Sequence, residues 1–175
     1  MCKKLMCLTF FVVAWGLVSG NAAFAASLLS DPDLVGWWTF DEGAGAAAAD
    51  LSANANDATV FGDAAWVPGV YGTALNFDGS DDYVGTEQSL LDNAEDFTMA
   101  GWVMARNPAG SRIGLFGQND LVEMGFNGGS ASIWTAASGT TNAAWAFADT
   151  TWHHIAIVDE GTEMRIYIDG ELAST

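Results

Sequence analysis

The run from Trp152 to Leu172, WHHIAIVDEGTEMRIYIDGEL, constrains the fold more than any other stretch of this chain. Two apolar segments of strand length, Ile155 to Val158 and Met164 to Tyr167, flank the polar connection Asp159 to Glu163, and the second runs into Asp169-Gly170. That pattern predicts a β-hairpin followed by a second tight turn, because Asp-Gly accepts the positive φ that a two-residue turn demands. Alternation sets the faces of the second segment: Met164, Ile166 and Ile168 point one way, Arg165 and Tyr167 the other. One face is core, and the other is at least half wet.

The same punctuation runs through the rest of the chain. Ala58 to Phe61, Ala74 to Phe77, Tyr83 to Val84, Phe97 to Met104, Arg112 to Gly117, Leu121 to Phe126 and Ala131 to Thr135 read as short strands. Gly62-Asp63, Pro68-Gly69, Asp78-Gly79-Ser80-Asp81, Asn107-Pro108-Ala109-Gly110, Gln118-Asn119-Asp120 and Asn127-Gly128-Gly129 supply turns between them. Val122, Met124 and Phe126 share a face opposite Glu123, as in a sheet with one side buried. A first strand is expected over Leu34 to Phe40. Gly43 to Ala49 reads as a close-packed loop, and Asn142 to Thr151 as a loop carrying Trp145 and Phe147. No stretch has useful helical periodicity, so the expected class is all-β, a single sandwich or barrel.

These blocks carry a resemblance. W-H-H-I-A, an acidic turn and I-Y-I-D-G-E-L resemble the penultimate part of LamG-like jellyroll domains, in the concanavalin A-like lectin/glucanase superfamily. Trp38 to Gly43, Asp50 with an Asn-rich loop, Ala74 to Gly79, Asp82-Tyr83-Val84 and Phe97-Thr98 to Trp102-Val103 stand in that family's order. The resemblance implies a two-sheet antiparallel jelly-roll sandwich used mostly for extracellular recognition, with Trp38 inward and Trp37 outward. It also implies strands beyond Glu171-Leu172, the last pairing beside the first strand. On that reading residues 34–175 form a domain lacking its last strands, and Leu34 to Phe40 is an edge open to self-association.

The N-terminus has Lys3 and Lys4, an apolar stretch from Leu5 to Val18 and Ala23-Phe24-Ala25, the three parts of a secretory signal peptide. Residues 1–25 are therefore set aside from the fold, and 26–33 are a polar lead-in. Cys2 and Cys7 go with the signal, so the remaining 150 of 175 residues have no disulfide, and that length can bury a core without one. Cleavage takes two of five cations and none of the 22 acids, moving the net charge from −17 to −19. Only Arg106, Arg112 and Arg165 remain, which excludes nucleic acid and anionic membranes as partners. The expected location is secreted: extracellular, periplasmic or cell-surface.

Glycoside hydrolysis with retention needs two carboxyls about 5 to 5.5 Å apart. Glu123, the only acid in a middle strand, has Leu121 and Gly125 beside it on its face and no acidic partner. His153 and His154 are adjacent, leave opposite faces of a strand and read as structural. Calcium is the expected cofactor, if any, through two oxygen-rich loops: Asp50 with Asn54, Asn56 and Asp57, and Asp78 with Asp81 and Asp82. In the first loop Ala53 stands where the family usually has glycine and Ala55 follows Asn54. Alanine there is strained if the backbone needs positive φ. Trp37, Trp134 and Trp145 are the candidate outward rings for a ligand. The expected function is a non-catalytic recognition module for a glycan or an extracellular protein. An adhesion piece without a small ligand and a glycoside hydrolase are the alternatives.

Overall fold

Residues of alternating polarity become strands through most of the chain, and a computed structural model describes residues 7–9, 31–92, 94, 96–106, 108–110, 112–147 and 150–175. Among the described residues every regular element is a strand, and no helix is long and apolar enough to cross a membrane. Three antiparallel sheets form. The largest has seven strands in the order β14 (Glu171–Ser174), β13 (Met164–Ile168), β12 (His153–Glu160), β7 (Asp96–Met104), β1 (Cys7–Thr9), β5 (Thr73–Asn76), β4 (Ala65–Pro68). A four-stranded sheet runs β11 (Gly139–Ala144), β10 (Ser130–Thr135), β9 (Val122–Asn127), β8 (Ile113–Gln118). The third holds β2 (Ala47–Ala48), β3 (Ala58–Phe61) and β6 (Tyr83–Gly85).

The inward faces close on one core. Leu75, Val103, Ile155, Ile157 and Ile166 come from the largest sheet, Met124, Phe126 and Ile133 from the second, and Ala48, Ala58 and Val60 from the third. This is the all-β class expected from the alternation, in the jelly-roll sandwich form that the resemblance implies. Met164, Ile166 and Ile168 are buried while Arg165 and Tyr167 are half-exposed. Val122, Met124 and Phe126 are likewise buried opposite Glu123.

Several expectations are corrected. Leu34 to Phe40 forms no strand and makes a single bridge, Trp38 to Asp50. Its backbone is served by side chains instead of a neighbouring strand: Trp37 N–H donates to Asp50 Oδ1 at 2.7 Å, and the Asn54 and Asn56 amides donate to the carbonyls of Leu34 and Val35 at 2.7 and 2.8 Å. Gly139 to Ala144, partly read as loop, is β11 and pairs along all of β10. Ala65 to Pro68, where only a turn at Pro68-Gly69 was expected, is β4. Residues 1–25 were set aside from the fold, yet Cys7–Thr9 form an internal strand; the rest of that signal call, and 26–30 of the lead-in, lie outside the described residues.

Close approach of β8 and β9 depends on Gly125. A Cβ there would overlap the Ile113 carbonyl oxygen and stand 3.0 Å from Gly114 Cα, backbone that cannot rotate away. Gly125→Ala is expected to cost about 3 kcal/mol. Gly45→Ala, which meets nothing within 4 Å and carries only a φ of +84°, costs about 1 kcal/mol. Urea unfolding of both variants, compared by midpoint at unchanged slope, checks the difference; equal losses would place the constraint elsewhere.

Candidate functional site

The two oxygen-rich loops part company in space. In the first, Asp50 is buried and its carboxylate accepts four hydrogen bonds: Trp37 N–H at 2.7 Å and Ser52 N–H at 2.8 Å on Oδ1, Ser52 Oγ at 2.7 Å and Asn56 N–H at 2.8 Å on Oδ2. Asp57 Oδ1 accepts from Asp50 N–H at 3.0 Å. Ala55 takes a φ of +52°, while Ala53 does not enter the left-handed region. The loop is a brace that fixes 34–38 against the sandwich, and its lone pairs are spent on the protein's own N–H groups.

In the second loop, Asp78 Oδ1 caps Ser80 N–H at 2.7 Å, and Asp82 accepts from Asp63 N–H and Asp78 N–H at 2.8 Å each. One carboxylate oxygen from each of Asp63, Asp81 and Asp82 lies within 4.8 Å of the others. Asp63 follows the β3 turn and escaped the sequence reading, because its closeness to Asp81 and Asp82 arises from β3–β6 pairing across some twenty residues. Three hard oxygen donors of this kind could hold a divalent cation. Asp78 is not among them.

On the two strands that lead into this trio, β3 and β6, Phe61 and Tyr83 face each other. Their rings stack with centroids 4.5 Å apart and an interplanar angle of 11°. Tyr83 is 55% exposed, so an aromatic surface stands in water on the strands whose ends carry the three carboxylates. The outward tryptophans were sought elsewhere. Trp37 and Trp145 are each 7% exposed, a correction, since a ring so covered offers no face to a ligand. Trp145 packs edge-on against Phe126 and Phe147 at 4.9 Å. Trp134 does stand on the outer face of its sheet, half-exposed, opposite Glu123.

Other polar constellations lie away from these loops. His153 Nδ1 lies 2.7 Å from Asp169 Oδ2 and Nε2 lies 2.8 Å from Thr151 Oγ1. This hydroxyl, imidazole and carboxylate line has the order of a catalytic triad, but Asp169 Oδ1 also accepts His154 N–H at 2.9 Å and Asp169 N–H donates to His154 O at 2.8 Å. It clamps the β13–β14 turn to the start of β12. A recess of about 400 Å³ lies between Asp96, Leu121, Thr135, Ser138, Asp159 and Thr162. Asp159 there is buried and caps Gly161 N–H at 2.8 Å. Glu123 pairs with Arg112 at 2.8 Å, and that hydrogen bond holds its carboxyl below the usual range, against burial; a general acid needs the opposite shift.

Burial pushes the Asp50 carboxyl up, but hydrogen bonds from the Ser52 hydroxyl and from the Trp37, Ser52 and Asn56 N–H groups outweigh it and hold the pKa below 3.8. A carboxyl whose folded pKa is depressed stabilises the fold above its unfolded pKa, and that contribution is lost as pH falls through the folded value. Asp50→Asn is therefore expected to lose about 2 kcal/mol at pH 7. The gap to the parent chain should close as pH drops below about 3.8. Urea melts across pH 2 to 7 check it, and a gap that persists unchanged in acid would assign the brace to shape instead of charge.

Comparison with known families comes down on one side. The family model described as the concanavalin A-like lectin/glucanases superfamily matches residues 78–175, from the Asp78 turn through β14. The earlier blocks, Trp38 to Gly43 and the Asp50 loop, fall outside that match. Searches of curated proteins and of solved structures return no match. With the sandwich and more than half of the chain in agreement, the protein belongs to the concanavalin A-like lectin/glucanase superfamily.

Proposed function

We propose that this chain is a secreted, non-catalytic recognition module that binds neutral carbohydrate on the rim formed by Phe61, Tyr83 and the neighbouring carboxylates. The observation that carries the reading is the stacked Phe61–Tyr83 pair, with Tyr83 exposed, on the two strands whose turn-side ends hold Asp63, Asp81 and Asp82. A sugar ring presents an apolar C–H face and a belt of hydroxyls. An aromatic surface with a phenolic oxygen accommodates the first, and carboxylates accept from the second with charge-assisted hydrogen bonds. A net charge of −17 disfavours sulfated or uronic glycans and points to neutral ones.

Calcium enters the proposal at the trio, in place of the Asp50 loop. Arg112 is paired with Glu123, and Arg165 with Glu160 and Glu163, so neither is spent on the trio. Three carboxylates this close repel one another, and a divalent cation would relieve that repulsion. Secretion is supported by the signal-like N-terminus and by the extracellular habit of the family. The non-catalytic part is supported by the environment of Glu123 and by the structural engagement of His153.

An array of neutral and sulfated glycans, with soluble β-glucans assayed for both retention and cleavage, tests the reading. Binding of neutral glycans without cleavage is expected. Tyr83→Ala should weaken binding about three- to tenfold, the range for one aromatic contact of about 0.5 to 1.5 kcal/mol. Asp81→Asn should remove a calcium-dependent rise in melting temperature that sodium at matched ionic strength does not reproduce. Unaltered glycan binding in Tyr83→Ala, or released sugar products, would overturn the proposal.

A further inference from the structure

The strand between β5 and β7 comes from the segment that reads as a secretory leader. β1 runs antiparallel to both neighbours, with position 7 opposite Asn76 and Met104, position 8 opposite Leu75 and Val103, and position 9 opposite Trp102. Leu75 and Val103, the residues opposite position 8, are both fully buried, so the core-facing row of the slot lies between them. Elsewhere β7 is paired with β12 and β5 with β4. Without β1 the seven-stranded sheet divides into β14-β13-β12-β7 and β5-β4, leaving two facing edges of unpaired N–H and C=O groups over apolar core.

We propose that the chain cleaved after Ala25 takes an extended peptide strand from another polypeptide into the slot between β5 and β7. The inference rests on removal of the leader and on no part of the carbohydrate reading. Two-sided backbone pairing supplies the affinity and the core-facing position supplies the selectivity, as in strand addition to a sheet edge, doubled. The occupant's chemistry follows from the walls. Asn76, Trp102, Met104, Leu75 and Val103 are uncharged, so the strand is short and apolar, with its largest aliphatic side chain on the core face. Charge decides its source. Cleavage raises the net charge to −19, so two copies repel each other and an uncharged or basic strand from a different chain is favoured.

The test uses the full chain with a protease site inserted between Ala25 and Ala26. It is folded intact, cut, freed of residues 1–25 by gel filtration in mild urea, returned to buffer and presented with an excess of a fluorescent peptide carrying residues 3–11, Cys7 replaced by Ser. Fluorescence anisotropy and native mass should report one peptide per monomer, with a melting temperature raised by roughly 4 °C or more over the cut chain alone. The same peptide with Leu8→Pro lacks the central N–H and should not be taken up. If cutting makes the protein aggregate, rescue by the first peptide and not the second gives the same answer. No uptake with an unchanged melting temperature would mean that the sandwich closes on itself. A dimer that excludes the peptide would make the occupant a second copy. Aggregation that neither peptide prevents would mean that the slot takes no strand in trans. Each of these overturns the proposal.

Discussion

Pairing of β7 with β12 is the constraint on which the rest of the sandwich depends. It runs from His153 opposite Val103 to Glu160 opposite Asp96, the longest ladder among the described residues, and joins segments some fifty residues apart. The period of two then puts Val103, Ile155 and Ile157 on the core face. A slip of one residue would turn that row to solvent and bring polar side chains inward. Ile166 and Ile168 inherit their faces from β12 through the hairpin, and the Asp169 clamp on His153 and His154 holds the register at its far end.

Elements whose burial is one-sided were legible from residues alone. Val122-Met124-Phe126 and Met164-Ile166-Ile168 gave their faces by alternation because one side meets the core and the other meets water. β11 was not legible. Its sequence Gly-Thr-Thr-Asn-Ala-Ala has no apolar row, and it is a strand because β10 offers it an edge. Leu34 to Phe40 failed in the opposite way: it has the composition of a strand, but Asp50 and the two asparagines satisfy its backbone from thirteen or more positions away. With alternation gone, the inference that Trp37 faces outward went with it.

The candidate site shows the same division. Asp78, Asp81 and Asp82 were visible as an oxygen-rich turn, while Asp63 joins Asp81 and Asp82 only through the register of Phe61 with Tyr83. An aromatic pair formed by single residues on two short strands leaves no local pattern in the sequence. Of the three tryptophans expected to face outward, Trp37 and Trp145 are buried and Trp134 is half-exposed. The most exposed aromatics among the described residues are tyrosines, Tyr71 and Tyr83, whose hydroxyls tolerate water.

The order of strands in the largest sheet also sets the order in which it can be built. Synthesis runs from the N-terminus, and β4, β5 and β7 leave the ribosome long before β12 exists. Until residue 160 has been made, β7 has no partner on the β12 side, and the row that includes Val103 waits uncovered for a strand some fifty residues downstream. Sandwiches whose central ladder is this non-local fold slowly, since loop closure precedes any reward from pairing. The acidity of the chain then acquires a kinetic meaning. Carboxylates spread along the nascent strands keep half-made chains apart during the interval when their edges are most able to pair with the wrong neighbour.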